Sequence, residues 1–200
     1  AGAIQGLIDL LTGNPALLND PDQLRRVRIT IYQPAYGIIG DPAKRDPRTR
    51  QSADHSMVYI IATLLRKAYE RKAAGWKELM LVPADYDDQA LFHPVTRAIM
   101  DKIEFEHGGP EYDRRYPDGI PTTIEIEHGQ LGELSSGLVM YPAGHARNTT
   151  ADLDDLLAHK FELLAGLGVD DPGALYRRFT GLAERSPEQI RELFNFTLKG

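Results

Sequence analysis

The sequence contains no cysteine at all, which removes disulfides, thiolate nucleophiles, thiolate zinc sites and Cys-ligated iron–sulfur clusters from this chain. No apolar run is long enough to span a bilayer. The opening AGAIQGLIDLLTG lacks a basic leading region and carries Asp9, so it reads as neither a signal peptide nor an anchor. Positive charge is also sparse. With 23 Lys and Arg against 29 Asp and Glu, the net charge is −6, and no stripe of cations exists to follow phosphates, so nucleic acid is excluded as a partner. These absences predict a cytoplasmic protein with no membrane contact.

What remains is ordinary globular composition. The 200 residues are 42% hydrophobic, enough for one core and an appended helical tail. Ile4, Leu7, Ile8, Leu10 and Leu11 fall at helical spacing until Gly13-Asn14-Pro15, so the chain opens inside a helix. A chain that begins there reads as part of a larger polypeptide, or as one whose first helix packs on another body. Val27, Ile29 and Ile31 alternate with Arg26, Arg28 and Thr30, the period of a strand with one buried face. Gly37 to Arg50 reads as loop, and its Lys44, Arg45, Arg48 and Arg50 as a solvated charged stretch or a surface for an anion.

Met57 to Tyr69 carries a broad apolar band and predicts the central helix, capped by Ser52 or Asp54 and closed at Gly75. Glu78 to Val82 suggests a connecting edge strand or an extended segment, a helix follows from His93-Pro94, and Glu104 to His107 suggests another strand. Thr123–Glu127 and Gly137–Tyr141 read as a hairpin with a long connection. Leu153 to Leu164, Ala174 to Glu184 and Pro187 to Leu198 predict three closing helices. Such irregular alternation of strands and helices points to an α+β fold with a small mixed sheet.

Three clusters could carry chemistry. His55, at the head of the central helix, is expected to stay neutral beside the helix amides and to exchange a hydrogen bond with a substrate oxygen; alternatively Asp54 and Ser56 cap the helix while His55 makes one satisfied hydrogen bond at a domain seam. His145 and Arg147 lie in Tyr141-Pro142-Ala143-Gly144-His145-Ala146-Arg147-Asn148, read as a strand-to-helix corner, where Arg147 clamps a carboxylate or pairs with an acid. Tyr36, just beyond the first strand, offers a phenol to a substrate or simply packs. His93, His107, His128 and His159 show no metal-ligand spacing, so no metal is assigned.

Taken together, ADHSMVYIIATLL at Ala53 to Leu65, the preceding Asp46-Pro47-Arg48-Thr49-Arg50, TRAIMDKIEF at Thr96 to Phe105 and VMYPAGHARN at Val139 to Asn148 resemble the C-terminal half of MmgE/PrpD proteins, in order and spacing, over roughly Val27 to Phe161. The family includes 2-methylcitrate dehydratase, cis-aconitate decarboxylase and iminodisuccinate epimerase. The resemblance implies an enzyme without metal or organic cofactor, acting beside a carboxylate of a small polycarboxylate in a cleft between a large helical domain and a smaller α+β lid. By that resemblance residues 1–168 form the lid and 169–200 a helical segment that packs on the helical domain, which is supplied upstream in cis or by a separate chain. Tyr36 falls where the family places a substrate-facing tyrosine. His55, His145 and Arg147 fall on family motifs whose roles are orienting and structural as readily as catalytic; the resemblance puts His55 beside Tyr36 as a catalytic candidate and Arg147 and His145 as substrate-binding ones. The resemblance further implies a homo-oligomer, a hydro-lyase of propionate catabolism, and no activity from this chain alone; decarboxylase or epimerase chemistry, or a non-catalytic interaction domain, are the alternatives.

Overall fold

The computed structural model describes residues 1–200 and divides into two compact units, Ala1–Ala151 and Asp152–Gly200. The first unit is built on a four-stranded mixed sheet: β1 (Leu24–Ile31), β2 (Ile103–His107), β3 (Thr122–His128) and β4 (Gly132–Ser135), in the order β2-β1-β3-β4. β1 lies parallel to β2, with Val27 opposite Ile103, and antiparallel to β3, with Ile29 opposite Ile124. The period-two pattern read in the sequence sorts the side chains. Val27, Ile29, Ile31, Ile103, Ile124 and Ile126 are buried. The opposite face carries Arg26 and Arg28 paired with Glu104, Glu106, Glu125, Glu127 and Glu133.

Helices cover the apolar face. α1 (Gly2–Gly13) packs on β3, and Gly6 permits the approach, because a Cβ there would stand 3.1 Å from Ser136 Oγ and 3.5 Å from Ile124 Cγ1. After β1 come the short α2 (Gln33–Ile39) and α3 (Arg50–Ala53), and then the long α4 (Met57–Arg71), whose Tyr59, Ile61, Ala62, Leu65 and Ala68 are fully enclosed. α5 (Trp76–Leu79), α6 (Asp88–Leu91) and α7 (Pro94–Met100) follow, with α7 packed on α4, and α8 (Gly109–Asp113) lies between β2 and β3.

Several local expectations change. α4 is capped by Ser56, whose Oγ accepts from Tyr59 N (3.2 Å) and donates to Lys44 O (2.7 Å). Ser52 instead closes a reciprocal cap with Thr49 on α3. Helix α4 ends at Arg71 with Lys72 in the left-handed region, ahead of Gly75. Residues 33–39 are helical rather than loop from Gly37, since Pro34 sits in the first turn, where its missing N–H is harmless. The segment read as an edge strand, Glu78 to Val82, begins as the last residues of α5. The partner of β3 is the polar Gly132–Ser135 rather than the apolar Gly137–Tyr141. A tight connection through Gly132, at φ +75°, returns the chain at once, and Val139 keeps a single bridge to Thr122.

The second unit comprises α9 (Leu153–Ala165), α10 (Pro172–Arg178) and α11 (Pro187–Arg191). Side-chain caps start each helix: Asp152 accepts from Asp155 N, Asp171 from Ala174 N, and Ser186 and Gln189 close a reciprocal box. The last two helices are shorter than their sequence pattern implies, and an aromatic row of Phe161, Tyr176, Phe179 and Phe194 joins them. Only Val169 and Leu193 of this unit's apolar side chains are buried. No helix in the chain is long and apolar enough to cross a membrane.

Candidate functional site

The parallel pairing of β1 with β2 brings their carboxyl ends together, the place where open mixed sheets commonly receive ligands. Tyr32 caps the start of α2 immediately after β1 and stacks on Tyr116 with ring centroids 4.6 Å apart. Burial pushes the Tyr32 phenol above its ordinary pKa, reinforced by Tyr116. One turn on, Tyr36 is 38% exposed, and its ring lies 6.0 Å from that of His107, the last residue of β2. His107 Nε2 faces both oxygens of Asp113 at 3.1 and 3.0 Å, and Asp113 also accepts from Gln33 N at 2.7 Å. The Gln33 amide first, and then His107, hold the Asp113 carboxyl below the usual range.

His55 occupies the turn between α3 and α4. Its Nδ1 contacts Gln51 O at 3.1 Å and lies against the Asp54 carboxylate. The Gln51 carbonyl first, and then Asp54, raise its pKa above the ordinary value, because both stabilise a protonated ring nitrogen; this is the opposite direction to the lowering expected beside the helix amides. His55 borders a depression of about 260 Å³ together with Ile4, Ile38, Lys44, Asp54 and Met57.

The stretch Tyr141–Thr150 is a run of turns rather than a strand-to-helix corner; no helix begins before Leu153, and Gly144 adopts φ +89°. The His145 ring lies 5.0 Å from that of Tyr141, and its Nδ1 accepts from Arg147 N at 3.1 Å. Arg147 pairs with Asp118 at 3.1 Å while its side chain stays 55% exposed. Tyr141 and then Asp118 raise the guanidinium's pKa further. Arg147 edges a polar depression of about 380 Å³ with Gln5, Asp9, Ser136, Tyr141 and Asn148.

The structure thus places His55 and Arg147 on two depressions that share no lining residue, and Tyr36 lines neither. The charged loop is largely engaged internally: Arg45 donates to Ile103 O at 2.6 Å, and Arg48 and Arg97 both hold Asp46. Two groupings escaped the sequence reading. One is the His107–Asp113 pair, six residues apart across Gly108-Gly109-Pro110. The other is a buried ion pair in which Lys67 Nζ donates to Asp85 Oδ2 at 2.6 Å and to Met80 O at 2.9 Å. Lys67 sits inside a helix otherwise read as an apolar band, and only tertiary packing reveals its partner.

The chain's residues 2–173 match the family model of the MmgE/PrpD C-terminal domain. The chain belongs to the MmgE/PrpD family. A search of curated proteins finds no match. The MmgE/PrpD C-terminal match spans the whole first unit, including Tyr36, His55, His145 and Arg147, and runs through α9 of the second. As an MmgE/PrpD C-terminal domain, the chain carries the α+β architecture expected from its strand and helix pattern: a small mixed sheet with helices on one face.

Proposed function

We propose that this chain is the lid half of a cofactor-free MmgE/PrpD lyase that removes water from 2-methylcitrate or a closely related small polycarboxylate, and that turnover requires a helical domain supplied in cis or by a separate chain. The observation that carries this reading, beyond family membership, is the solvent access of Tyr36 and Arg147: neither is walled into the core of its own unit. In this reading a base on the helical domain takes the proton α to a carboxylate. Arg147 offsets the negative charge that develops, and Tyr36 anchors a carboxylate or protonates the departing hydroxyl. His55 and His145 orient the lid, and closure excludes water. The assembled enzyme is a cytoplasmic homo-oligomer.

The test is reconstitution. The chain is assayed alone and with an MmgE/PrpD helical domain on 2-methylcitrate, cis-aconitate and iminodisuccinate, and turnover of 2-methylcitrate by the pair alone is expected. Tyr36→Phe in the active pair lowers kcat by about 10²-fold or more, the scale of a lost acid–base group; unchanged turnover removes Tyr36 from the mechanism. Preference for another substrate redirects the reading to decarboxylase or epimerase chemistry. A non-catalytic interaction domain is the second reading, favoured by the apolar surface of the second unit, where Phe194 and Leu198 are exposed. Failure of the pair to associate or turn over any of these acids would select it.

A further inference from the structure

Resting on that reading, we infer that His107, held by Asp113, is a second ligand-facing residue of the same surface, its imidazolium form donating from Nδ1 to one carboxylate of a di- or tricarboxylate that Tyr36 also contacts. The argument starts from topology. β1 and β2 are parallel, so Tyr36, in the helix that follows β1, and His107, the last residue of β2, lie at the same end of the sheet. Their ring centroids stand 6.0 Å apart, so the two side chains are neighbours that one small polycarboxylate can touch together.

The imidazole is oriented in the manner of acid–base and ligand-binding histidines. One ring nitrogen, Nε2, is fixed on a carboxylate, which leaves Nδ1 as the nitrogen free to face a ligand. Asp113 is itself fixed, since the first amide of α2 donates to it. The same carboxylate therefore ties α8, the end of β2 and the start of α2 into one frame, and Tyr36 rides on that α2. Tyr36 Oη forms no hydrogen bond within the chain. A phenol with an unengaged hydroxyl and an imidazole with an unengaged ring nitrogen, a donor once the ring is protonated, lie side by side on a rigid base. His107 is only about one-third exposed at its side chain, so a carboxylate docked there is partly shielded from water, and the charge-assisted bond gains strength. The groups facing the ring are Asp113 from α8 and Tyr36 from α2, with no second carboxylate bonded to it. Asp113 acts here as a positioning residue.

Tricarballylate, a stable tricarboxylate, serves as the probe on the full 200-residue chain, with histidine and tyrosine ring resonances followed by NMR. Saturable movement of the His107 and Tyr36 signals is expected, with His128 and His55 unmoved. His107→Asn weakens binding by about tenfold or more, the scale of one charge-assisted hydrogen bond. Asp113→Asn weakens binding less than His107→Asn and moves the His107 ring resonances of the unliganded chain while those of His128 stay in place, a local reorientation of the ring read directly from the spectrum. Unmoved His107 signals in the wild-type chain overturn the inference without reference to any variant's folding. Turnover by the reconstituted pair separates the two claims. Ligand-induced shifts with no turnover retain the carboxylate site and sink the lyase reading, whereas turnover with unmoved His107 does the reverse.

Discussion

Replacing Lys67 with Met tests the buried ion pair. Lys67 is 3% exposed and Asp85 7%. The methionine fills most of the volume but leaves the Asp85 carboxylate facing apolar surroundings without its cation, and Met80 O without its donor. Two interactions soften the loss: Val82 N still donates to Asp85 Oδ2 at 2.8 Å, and Arg66 stands 4.0 Å from the other oxygen. Removing one partner of a buried pair typically costs about 3–5 kcal/mol, and the residual contacts place the expected loss near the lower end, about 3 kcal/mol. The single tryptophan, Trp76, lies in the first unit and donates to Gln5 Oε1 at 3.1 Å, so its fluorescence in a urea titration reports that unit alone. With a denaturant slope of about 2 kcal/mol per M, the midpoint falls by about 1.5 M. Lys67→Met combined with Asp85→Asn recovers part of that loss, because no buried charge remains. A single-variant loss below about 1 kcal/mol, or a double variant no better than the single, would refute the reasoning that an uncompensated buried carboxylate is the dominant cost.

Three further outcomes follow from the geometry. His55 has a raised pKa when folded, so its contribution to stability is fully present below the unfolded value of about 6.5 and is lost as pH rises through the folded value; Asp54→Asn shrinks that window, and NMR titration of the ring reads it directly. Gly6→Leu forces a side chain into the space held by Ser136 and Ile124 and lowers stability by about 1–3 kcal/mol in the same urea assay. Arg28 bonds Glu125 at 2.7 Å and Glu133 at 2.8 Å with its side chain 30% exposed, and Arg28→Met lowers stability only slightly, by an amount that diminishes as salt is added; a loss as large as that of Lys67→Met signals a cooperative network on the sheet face.

Period-two alternation made β1 readable, because Val27, Ile29 and Ile31 face one core and their neighbours face water. The apolar band of α4 was equally plain, as its burial is dictated by helical spacing. The hairpin partner was misread because hydrophobicity was taken for pairing. Gly137–Tyr141 is apolar yet makes one bridge, whereas the polar Gly132–Ser135 pairs fully because a short connection fixes register irrespective of side chains. Ser52, Asp54 and Ser56 are interchangeable as caps on local chemistry, and the Lys44 carbonyl above Ser56 is what selects it for α4. Tyr36 and Arg147 were visible through motif resemblance. His107 was not: its meaning depends on a parallel strand some 70 residues earlier and on a carboxylate delivered by a short helix, neither of which its own spacing announces.

The central position of β1 has a consequence for synthesis. Its neighbours on either side come from residues 103–107 and 122–128, so the strand leaves the ribosome long before either edge can be zipped to it. Val27, Ile29 and Ile31 must wait as an unmatched template through about 70 residues of elongation before β2 arrives. During that interval α1 and then α4 are the available cover, which makes early docking of those helices the natural safeguard against strand-to-strand clumping between nascent copies.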